Sequence, residues 1–370
     1  MTTPPPLRIA LLSTGDELIF GDVINTNSQM LAQGLFDHAI LPGTQATAGD
    51  NQFDIEQAIH FLLTDHQALI ITGGLGPTSD DRTRFALSQV LATELIYDPT
   101  SWQRILDRLN KLSLPIPEIN RQQCLFPRNA VIFPNDHGTA AACLVVHQQK
   151  PIFMLPGPPS ECLPIFEKYV IPYLIEQGFQ KSLYRQQWLL LGVSEGSIAA
   201  QLDPLVINTD CTVGYRTNWP YLEVKLYSLD QAALVSLQDK FEAIIGALSI
   251  SHHRETASAQ LKKWILQKSC HVAINDQATG GRLAALLLEP ENYQYFHFNG
   301  NNQNYHQMTM TGLENYWSGK HEADNFELYM KLPNGKQLNK SFQFGYRRER
   351  VLAMAVETAC WQFLLFISRL

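Results

Sequence analysis

The chain has 370 residues, which predicts two or three domains at roughly 100–200 residues per domain. Hydrophobic residues make up 45% of the chain and charged residues 17%, a composition that excludes a disordered or fibrous protein. The formal net charge of −7 argues against non-specific binding to nucleic acid or to an anionic membrane, so neither is expected as a partner.

No apolar run in the sequence reaches the length of a signal peptide or of a membrane span, so a cytoplasmic protein is expected. The six cysteines lie 19 or more residues apart and form no C-x-x-C pair. This spacing favours buried free thiols over a disulfide framework or a zinc site.

Short apolar strands alternate with amphipathic helices in the first part of the chain. Strands are predicted at residues 8–13, 40–47, 68–72, 142–147 and 151–155. Helices are predicted near residues 26–38, 54–65, 80–92, 101–112 and 158–177. The alternation predicts an α/β domain over residues 1–175, with a mostly parallel sheet covered on both faces.

Two smaller α/β domains are predicted to follow, over residues 176–255 and 256–370. Strands of the middle domain are expected near residues 188–192, 212–216 and 222–226, and its helices at 195–202 and 231–248. The polar stretch 251–258 is interpreted as a linker. The last domain is expected to contain a helix at 260–268, a strand at 271–275 and a long apolar helix at 348–368.

The last helix carries more apolar surface than one helix face requires, so we expect a homodimer. The alternative is a core helix that is buried on several sides.

The strongest local signal is a glycine-rich turn after the strand at 68–72. Residues 72–81 read TGGLGPTSDD and include Gly73, Gly74, Gly76 and Thr78. In a turn at the end of a sheet strand, backbone N–H groups can approach phosphate oxygens, so a phosphate or pyrophosphate is the expected ligand. The motif lacks the lysine of a Walker A loop and the spacing of G-x-G-x-x-G, which disfavours a nicotinamide cofactor.

Two aspartates at the end of this turn, Asp80 and Asp81, would stand beside the phosphate. Such an arrangement is repulsive unless a divalent cation lies between the negative groups. The alternative is that Ser79 or Asp80 only caps the following helix and favours its dipole. Arg82 either contacts phosphate or lies on the helix surface.

Two further loops, after the first and fifth strands, are expected at the same sheet edge, and the stretch 135–140, which precedes a strand, is a weaker candidate. Each of the three alone is also explained as a turn. Their candidate site residues are Asp16, Glu17, Asn27, Gly138, Thr139, Gly157, Ser160 and Glu161.

Taken together, these motifs resemble the N-terminal domain of the CinA family of competence/damage-inducible proteins. The resemblance rests on GDEL at 15–18, residues 25–27, TGGLGPTSDD at 72–81, HGTA at 137–140 and LPGPPSE at 155–161. It implies a molybdopterin-binding-like fold, similar to MoaB and MoeA, and metal-dependent hydrolysis of ADP-ribose to AMP and ribose 5-phosphate.

The resemblance also implies roles for single residues. The family's phosphate loop falls on Gly73, Gly74 and Gly76, and its acidic, metal-associated positions fall on Asp80 and Asp81. Further pocket residues would be Asp16, Glu17, Asn27, Ser160 and Glu161.

Hydrolysis of a diphosphate needs a cation, fixed donors for the developing charge and an oriented water. We expect magnesium or cobalt as the cation, with potassium as a further candidate ion. The sequence leaves open whether Asp16, Glu17 or Glu161 activates the water.

A second motif, G-x-S-x-G at residues 192–196, is typical of hydrolase nucleophile elbows. The middle domain is too small for a hydrolase core, so Ser194 is interpreted as a helix cap.

The last domain resembles the nicotinamide-nucleotide amidohydrolase domain of the same family. The family carries Glu-Ser-Cys-Thr-Gly-Gly after the strand, with the serine as nucleophile. Here the serine position is Gln277 and the cysteine position is Ala278. Because an amide cannot serve as an acyl-transfer nucleophile, we expect a degenerate domain that keeps the fold and has lost the deamidase activity.

The leading hypothesis is an ADP-ribose hydrolase that acts on a small-molecule nucleotide. The alternatives are a non-catalytic nucleotide- or pterin-binding protein with a regulatory last domain, a molybdopterin-handling enzyme, and residual deamidation of nicotinamide mononucleotide.

Overall fold

A computed structural model describes residues 7–300, 302–320, 322–345 and 348–368. The chain divides into two units, the first ending at Ser182 and the second beginning at Leu183.

The first unit alternates strands and helices, with a 3₁₀ helix at Glu118–Cys124 and a π-helical turn at Phe166–Val170. Its strands are β1 (Arg8–Thr14), β2 (Leu41–Ala48), β3 (Ala68–Thr72), β4 (Leu95–Tyr97), β5 (Leu125–Pro127), β6 (Val131–Phe133), β7 (Ala142–His147) and β8 (Lys150–Leu155). Its helices are α1 (Asp16–Ile19), α2 (Thr26–Asp37), α3 (Gln52–Asp65), α4 (Thr83–Val90), α5 (Pro99–Lys111), α6 (Pro159–Ile165) and α7 (Ile171–Glu176).

The main sheet of this unit has the strand order β2-β1-β3-β8-β7-β6. Strands β2, β1, β3 and β8 are parallel to one another, and β7 and β6 extend the sheet with antiparallel pairs. Alternate residues of β1 enter two separate hydrophobic clusters, Ile9 with helices α2, α6 and α7, and Leu12 with α3 and α4. The predicted α/β fold, with a mostly parallel sheet covered on both faces, is confirmed.

Two predicted helices differ from the observed ones for local chemical reasons. The helix expected from residue 80 begins at Thr83, because Asp81 accepts hydrogen bonds from the preceding loop. The helix expected over 158–177 is divided into α6, the π-helical turn and α7, with Pro164 inside α6 and a proline in the first turn of α7. Proline has no N–H to donate within a helix, which favours such interruptions.

The second unit contains two further sheets, with 3₁₀ turns at Gly246–Leu248 and Tyr293–Tyr295. Its strands are β9 (Tyr184–Leu191), β10 (Cys211–Asn218), β11 (Tyr221–Ser228), β12 (Ser249–Ser251), β13 (Val272–Asp276), β14 (Phe296–Phe298), β15 (His306–Gly312), β16 (Asp324–Lys331) and β17 (Gln337–Phe344). Its helices are α8 (Glu195–Val206), α9 (Gln231–Ile245), α10 (Ala257–Lys268), α11 (Arg282–Leu287), α12 (Glu314–Trp317) and α13 (Glu349–Ile367).

The first of these sheets is antiparallel, with the order β10-β11-β9-β12 and helices α8 and α9 packed on one face. This is a βαββαβ arrangement. The second sheet, in the order β14-β13-β15-β16-β17, combines parallel pairs at β13 with an antiparallel β15-β16-β17 meander.

The predicted division of this region at residue 255 falls inside the second unit. Leu189 and Tyr221 of the first sheet belong to the same hydrophobic cluster as α10 and α13. The Tyr221 hydroxyl, at an O···O distance of 2.6 Å, and the Ser258 N–H both donate to the buried carboxylate of Glu357. The prediction of a linker is wrong at its end, because Ala257 and Ser258 are buried and already belong to α10.

Helix α13 is long and apolar enough to cross a membrane by length and composition, but 72% of its most apolar window is buried inside the protein. Most of its apolar side chains, including Leu352 and Phe363, lie in the hydrophobic cluster of the second unit. The expectation of excess apolar surface on this helix is therefore wrong, and the homodimer remains a prediction without that support.

Candidate functional site

A cavity of about 500 Å³ lies at the edge where the parallel strands of the first unit end. Thr14 and Thr72 contribute to its wall from the last positions of β1 and β3. Asp50 reaches it from the loop after β2, and Gly157 from the loop after β8. Four adjacent strand ends thus converge on one cavity, at the edge where open α/β sheets bind ligands.

Buried hydroxyl groups surround this edge of the sheet. The Thr14 hydroxyl lies 3.0 Å from that of Thr83 and also donates to the Thr72 carbonyl. The Ser13 hydroxyl accepts from the Thr72 hydroxyl at 3.2 Å and lies 3.1 Å from that of Ser28. Sequence reasoning missed this network, although the polar residues that end two apolar strands are a readable signal of it.

The glycine turn folds in a way that side chains would prevent at two positions. Gly73 has φ +98°, and a Cβ there would lie 2.3 Å from the Thr14 carbonyl oxygen. Gly74 has φ +62°, and its Cβ would lie 2.2 Å from the Thr83 hydroxyl oxygen. Both the backbone conformation and the close approach therefore require glycine.

The N–H groups of the turn are divided between internal and free donors. The Gly73 N–H donates to the Leu155 carbonyl at 3.1 Å, and the N–H groups of Gly76 and Thr78 donate to the Asp81 carboxylate. Within the described part of the chain, the N–H groups of Gly74 and Leu75 have no acceptor, and both residues line the cavity. Of the predicted phosphate-loop glycines, Gly74 therefore has an N–H group available to a ligand, and Leu75, which was not predicted, adds a second.

The two aspartates of the turn occupy different environments. The Asp81 carboxylate accepts from the N–H of Gly76 at 2.7 Å, from the N–H of Thr78 at 2.8 Å and from the Thr78 hydroxyl at 2.5 Å. These three hydrogen bonds fix the conformation of the turn. Asp80 is exposed and lines the cavity, and hydrogen bonding from Thr78 lowers its pKa.

A further carboxylate in the cavity wall, Asp50, was missed by sequence reasoning. Its Oδ2 accepts from the Asp16 N–H, and its own N–H donates to Asp16 Oδ1, both at 3.0 Å. Burial raises the pKa of Asp50, and the negative charges of Asp16, Glu17 and Asp80 raise it further. Its position two residues after the end of β2 is the signal that could have identified it.

Glu17, Asp50, Asp80 and Asp81 give the cavity wall four carboxylates. No group of three or more metal-ligating side chains converges within the described residues. Magnesium is commonly held by one or two carboxylates together with water and substrate phosphates, so this donor set fits such a cation. Asp81 fits the role less well, because its oxygens already accept hydrogen bonds from the turn.

The Asn27 side chain is buried in the cavity wall, with 9% of its surface exposed. Its Nδ2 donates to the Gly157 carbonyl at 2.5 Å, which ties α2 to the loop after β8. Its Oδ1 has no partner within the described residues.

Seven predicted site residues do not line this cavity: Asp16, Gly76, Thr78, Gly138, Thr139, Ser160 and Glu161. The Glu161 carboxylate accepts from Asn135 Nδ2 at 2.6 Å, and Asn135 Oδ1 accepts from the Gly138 N–H. The Thr139 hydroxyl accepts from Gln123. Hydrogen bonds to Asn135 and Gln123 therefore account for Glu161, Gly138 and Thr139.

Neither arginine after the turn lines the cavity. Arg82 donates to Gln52 at 2.6 Å and stacks on Phe85. Arg84 is completely buried, and its Nη2 donates to the Leu75 carbonyl at 2.7 Å. Nε and Nη1 of Arg84 have no partner within the described residues, and burial lowers its pKa to about 10.

The two sequence motifs of the second unit have structural explanations. The Ser194 side chain accepts from the Ser197 N–H at 3.2 Å, so it caps α8 as predicted. Gln277 is exposed, and its side-chain NH₂ group lies 3.4 Å from Asn275 Oδ1. The Trp317 indole covers the adjacent turn, donating to the Ala278 carbonyl at 2.7 Å.

Comparison with known families gives one domain match. Residues 10–176 match the family described as probable molybdopterin binding domain.

Several curated proteins are similar over most of the chain. The putative competence-damage inducible protein of Caldicellulosiruptor saccharolyticus is 32% identical over 283 residues, which cover 73% of this chain and 67% of that protein. The protein of the same name from Clostridium novyi is also 32% identical, with coverage of 76% and 70%. The CinA-like protein of Geobacter sulfurreducens is 29% identical, with coverage of 80% and 73%.

Solved structures match over about half of the chain. The protein CinA of unknown function from Thermoplasma acidophilum is 21% identical, with a TM-score of 0.42, and the match covers 47% of this chain and 98% of that one. The molybdopterin biosynthesis enzyme MoaB of Thermus thermophilus is 15% identical, with a TM-score of 0.32 and coverage of 47% and 94%.

Proposed function

Because the chain belongs to the CinA-like family of competence/damage-inducible proteins, we propose that its first unit hydrolyses a nucleotide diphosphate with the help of a divalent cation. ADP-ribose is the leading substrate, with AMP and ribose 5-phosphate as products. The observation that carries the proposal is the cavity at the strand ends, where free N–H groups and carboxylates line the same wall.

The free N–H groups of Gly74 and Leu75 are the donors for phosphate oxygens in this proposal. The hydrogen bonds that Asp81 accepts keep the turn in one conformation. The free N–H donors therefore need no reorganisation when charge develops on the phosphate. Asp81 is therefore a positioning residue.

Asp80 and Asp50 are the carboxylates that would hold a divalent cation. When bound, the cation would offset the negative charge of the diphosphate oxygens. Without it, the carboxylates of the wall would repel an anionic substrate.

Glu17 is the carboxylate that best fits the orientation of a water. It is exposed and lines the cavity. Asp16, by contrast, accepts the N–H of Asp50, and Glu161 lies outside the cavity wall.

The test is release of AMP from ADP-ribose with magnesium or cobalt, with and without potassium, and with a chelator control. Asp80→Ala should abolish metal-dependent turnover and leave the thermal midpoint nearly unchanged, because Asp80 is exposed. Asp81→Ala should lower both turnover and stability, because it removes the acceptor of three hydrogen bonds. Asp65→Ala, at an exposed carboxylate outside the cavity wall, is the matched control.

A second candidate function is binding of a nucleotide or a molybdopterin without turnover. It is favoured by the family match, whose description names binding and not hydrolysis. Saturable binding in calorimetry with no AMP release under any metal condition would select this candidate. Fluorescent pterin carried through purification would identify the ligand as a molybdopterin.

We also propose that the second unit has no deamidase activity. Gln277 occupies the position where the resemblance places a serine nucleophile, and an amide cannot perform that step.

A further inference from the structure

A short apolar segment at the mouth of the cavity is unusually exposed. We name residues 18–24 the apolar strap. Ile19 is 51% exposed, Phe20 73%, Val23 50% and Ile24 86%. Helix α1, with which the strap begins, contains no buried residue. Contiguous apolar surface of this kind on a soluble protein commonly marks a binding site.

Part of the strap belongs to the proposed site. Leu18, Val23 and Ile24 line the cavity together with Gly74 and Leu75, whereas Ile19 and Phe20 do not line it. The apolar side chains are therefore continuous with the donors for phosphate. This continuity indicates that the ligand which reaches the glycine turn also contacts the strap.

The strap has a defined path. The N–H groups of Asp22 and Val23 donate to the Glu17 carbonyl, and the Thr26 N–H donates to the Ile24 carbonyl at 2.8 Å. The reciprocal hydrogen bonds between Asp16 and Asp50 fix the start of α1, just before the strap. A surface that is already ordered loses little conformational entropy when a ligand binds to it.

The size of the cavity also argues for a ligand larger than phosphate. Its volume of about 500 Å³ lies within the range of roughly 300–1,000 Å³ that is typical of sites for drug-sized molecules. Charged phosphate oxygens gain nothing from contact with valine and isoleucine side chains. A flat ring of low polarity gains from burial against them.

We propose that the apolar strap binds the planar base of the nucleotide, with Val23 and Ile24 as the residues that contact the ring. This inference rests on the proposed function and names the part of the substrate that the cavity selects. A strap that binds the base would distinguish nucleotides from sugar phosphates that lack a base. A second copy of the chain is the competing occupant of the strap.

The experiment compares AMP with ribose 5-phosphate, a matched pair in which only one ligand carries a base. Binding of each is measured by calorimetry with magnesium, for the full-length protein and for Ile24→Ser, Val23→Ser and Phe20→Ser. Phe20→Ser is the control, because Phe20 is equally apolar and exposed but does not line the cavity. All three positions are at least half exposed, so the variants are expected to fold.

The proposal predicts that AMP binds the unmodified protein at least tenfold more tightly than ribose 5-phosphate. Ile24→Ser and Val23→Ser should each weaken AMP about tenfold, which corresponds to ~1.4 kcal/mol, and leave ribose 5-phosphate within twofold. Phe20→Ser should leave both ligands within twofold.

Three results would overturn the proposal. Equal affinity of the unmodified protein for the two ligands would remove the base contact while keeping the phosphate site of the proposed function. A change of particle mass in light scattering, produced alike by Phe20→Ser and Ile24→Ser, would assign the strap to a second copy of the chain. Failure of both ligands to bind the unmodified protein would reject the proposed function as well.

Discussion

The buried guanidinium of Arg84 donates a hydrogen bond to the glycine turn, but its burial lowers the stability of the first unit. Arg84→Met should separate the effect on the turn from the effect on stability. Arg84 is fully buried, donates one hydrogen bond to the Leu75 carbonyl and leaves Nε and Nη1 without a partner in the described structure. The negative charge of Asp81 favours the charged form of Arg84, but it offsets only part of the effect of burial on the pKa of Arg84. Methionine keeps an unbranched side chain that can fill the same apolar surroundings.

The magnitude follows from the pKa. Burial lowers the pKa of Arg84 from 12.5 to about 10. At 1.36 kcal/mol for each pKa unit, this corresponds to about 3 kcal/mol of lost stability. The loss is fully present at pH 7, because the arginine is then charged in both the folded and the unfolded chain. The charged hydrogen bond to Leu75 offsets roughly 1.5–3 kcal/mol of it.

Arg84→Met should therefore raise the free energy of unfolding of the first unit by about 1 kcal/mol, while loosening the turn and lowering turnover of ADP-ribose at least tenfold. The assay is urea-dependent hydrogen exchange of the β3 peptides, run beside AMP release. Arg82→Met is the control, since Arg82 is partly exposed and bonded to Gln52. A destabilised Arg84→Met variant with normal turnover would refute this reasoning.

Three other predictions concern separate features. Gly74→Ala should lower stability by about 1–3 kcal/mol and abolish turnover, because an alanine would be strained there, whereas Gly196→Ala, where a Cβ meets nothing, should be harmless; equal effects in melting curves would contradict this. A disulfide exchange reagent should modify only Cys270 in the native protein and all six thiols after unfolding. The reason is that the other five thiols are buried and that burial raises the pKa of thiols such as Cys143 to about 12. Rapid reaction of several thiols in the native protein would contradict this prediction. Nicotinamide mononucleotide should yield no ammonia, and ammonia release would show that Gln277 does not mark a lost site.

The sequence predicts those features of the first unit that depend on local pattern. Buried strands such as β3 are short apolar runs, and the alternation with helices determines that their carboxyl ends share an edge. The glycine turn could be placed at that edge because Gly73 and Gly74 have positive φ values, which favour glycine, and adjacent glycines after a strand are visible in the sequence. Strands of three residues, such as β4 and β6, are too short to show periodicity, and they were not predicted.

The assignment of single side chains could not be read from local pattern. Asp50 joins the site through hydrogen bonds with Asp16, 34 residues earlier, and such pairing depends on the register of β1 and β2. Asp80 and Asp81 are adjacent in sequence and both line the cavity, yet only the Asp81 carboxylate accepts hydrogen bonds from the N–H groups of Gly76 and Thr78. Glu161 follows a strand as the other candidates do, but Asn135 holds its carboxylate elsewhere.

The environment of α13 also could not be predicted from local sequence pattern. A helix with apolar residues on several sides is compatible either with an exposed interface or with a core position. The choice depends on whether neighbouring elements cover it, and here α10 and the β-meander of the second unit do so.

Hydrolysis of a nucleotide diphosphate in the cavity of the first unit can be tested directly. The most direct measurement is product analysis by chromatography after incubation of the full-length protein with ADP-ribose and magnesium or cobalt, beside a chelator control and Asp80→Ala. We expect equal amounts of AMP and ribose 5-phosphate in the metal-containing reaction, and neither product in the two controls. Intact ADP-ribose under every metal condition, from protein that binds AMP in calorimetry, would contradict hydrolysis and leave a nucleotide-binding domain.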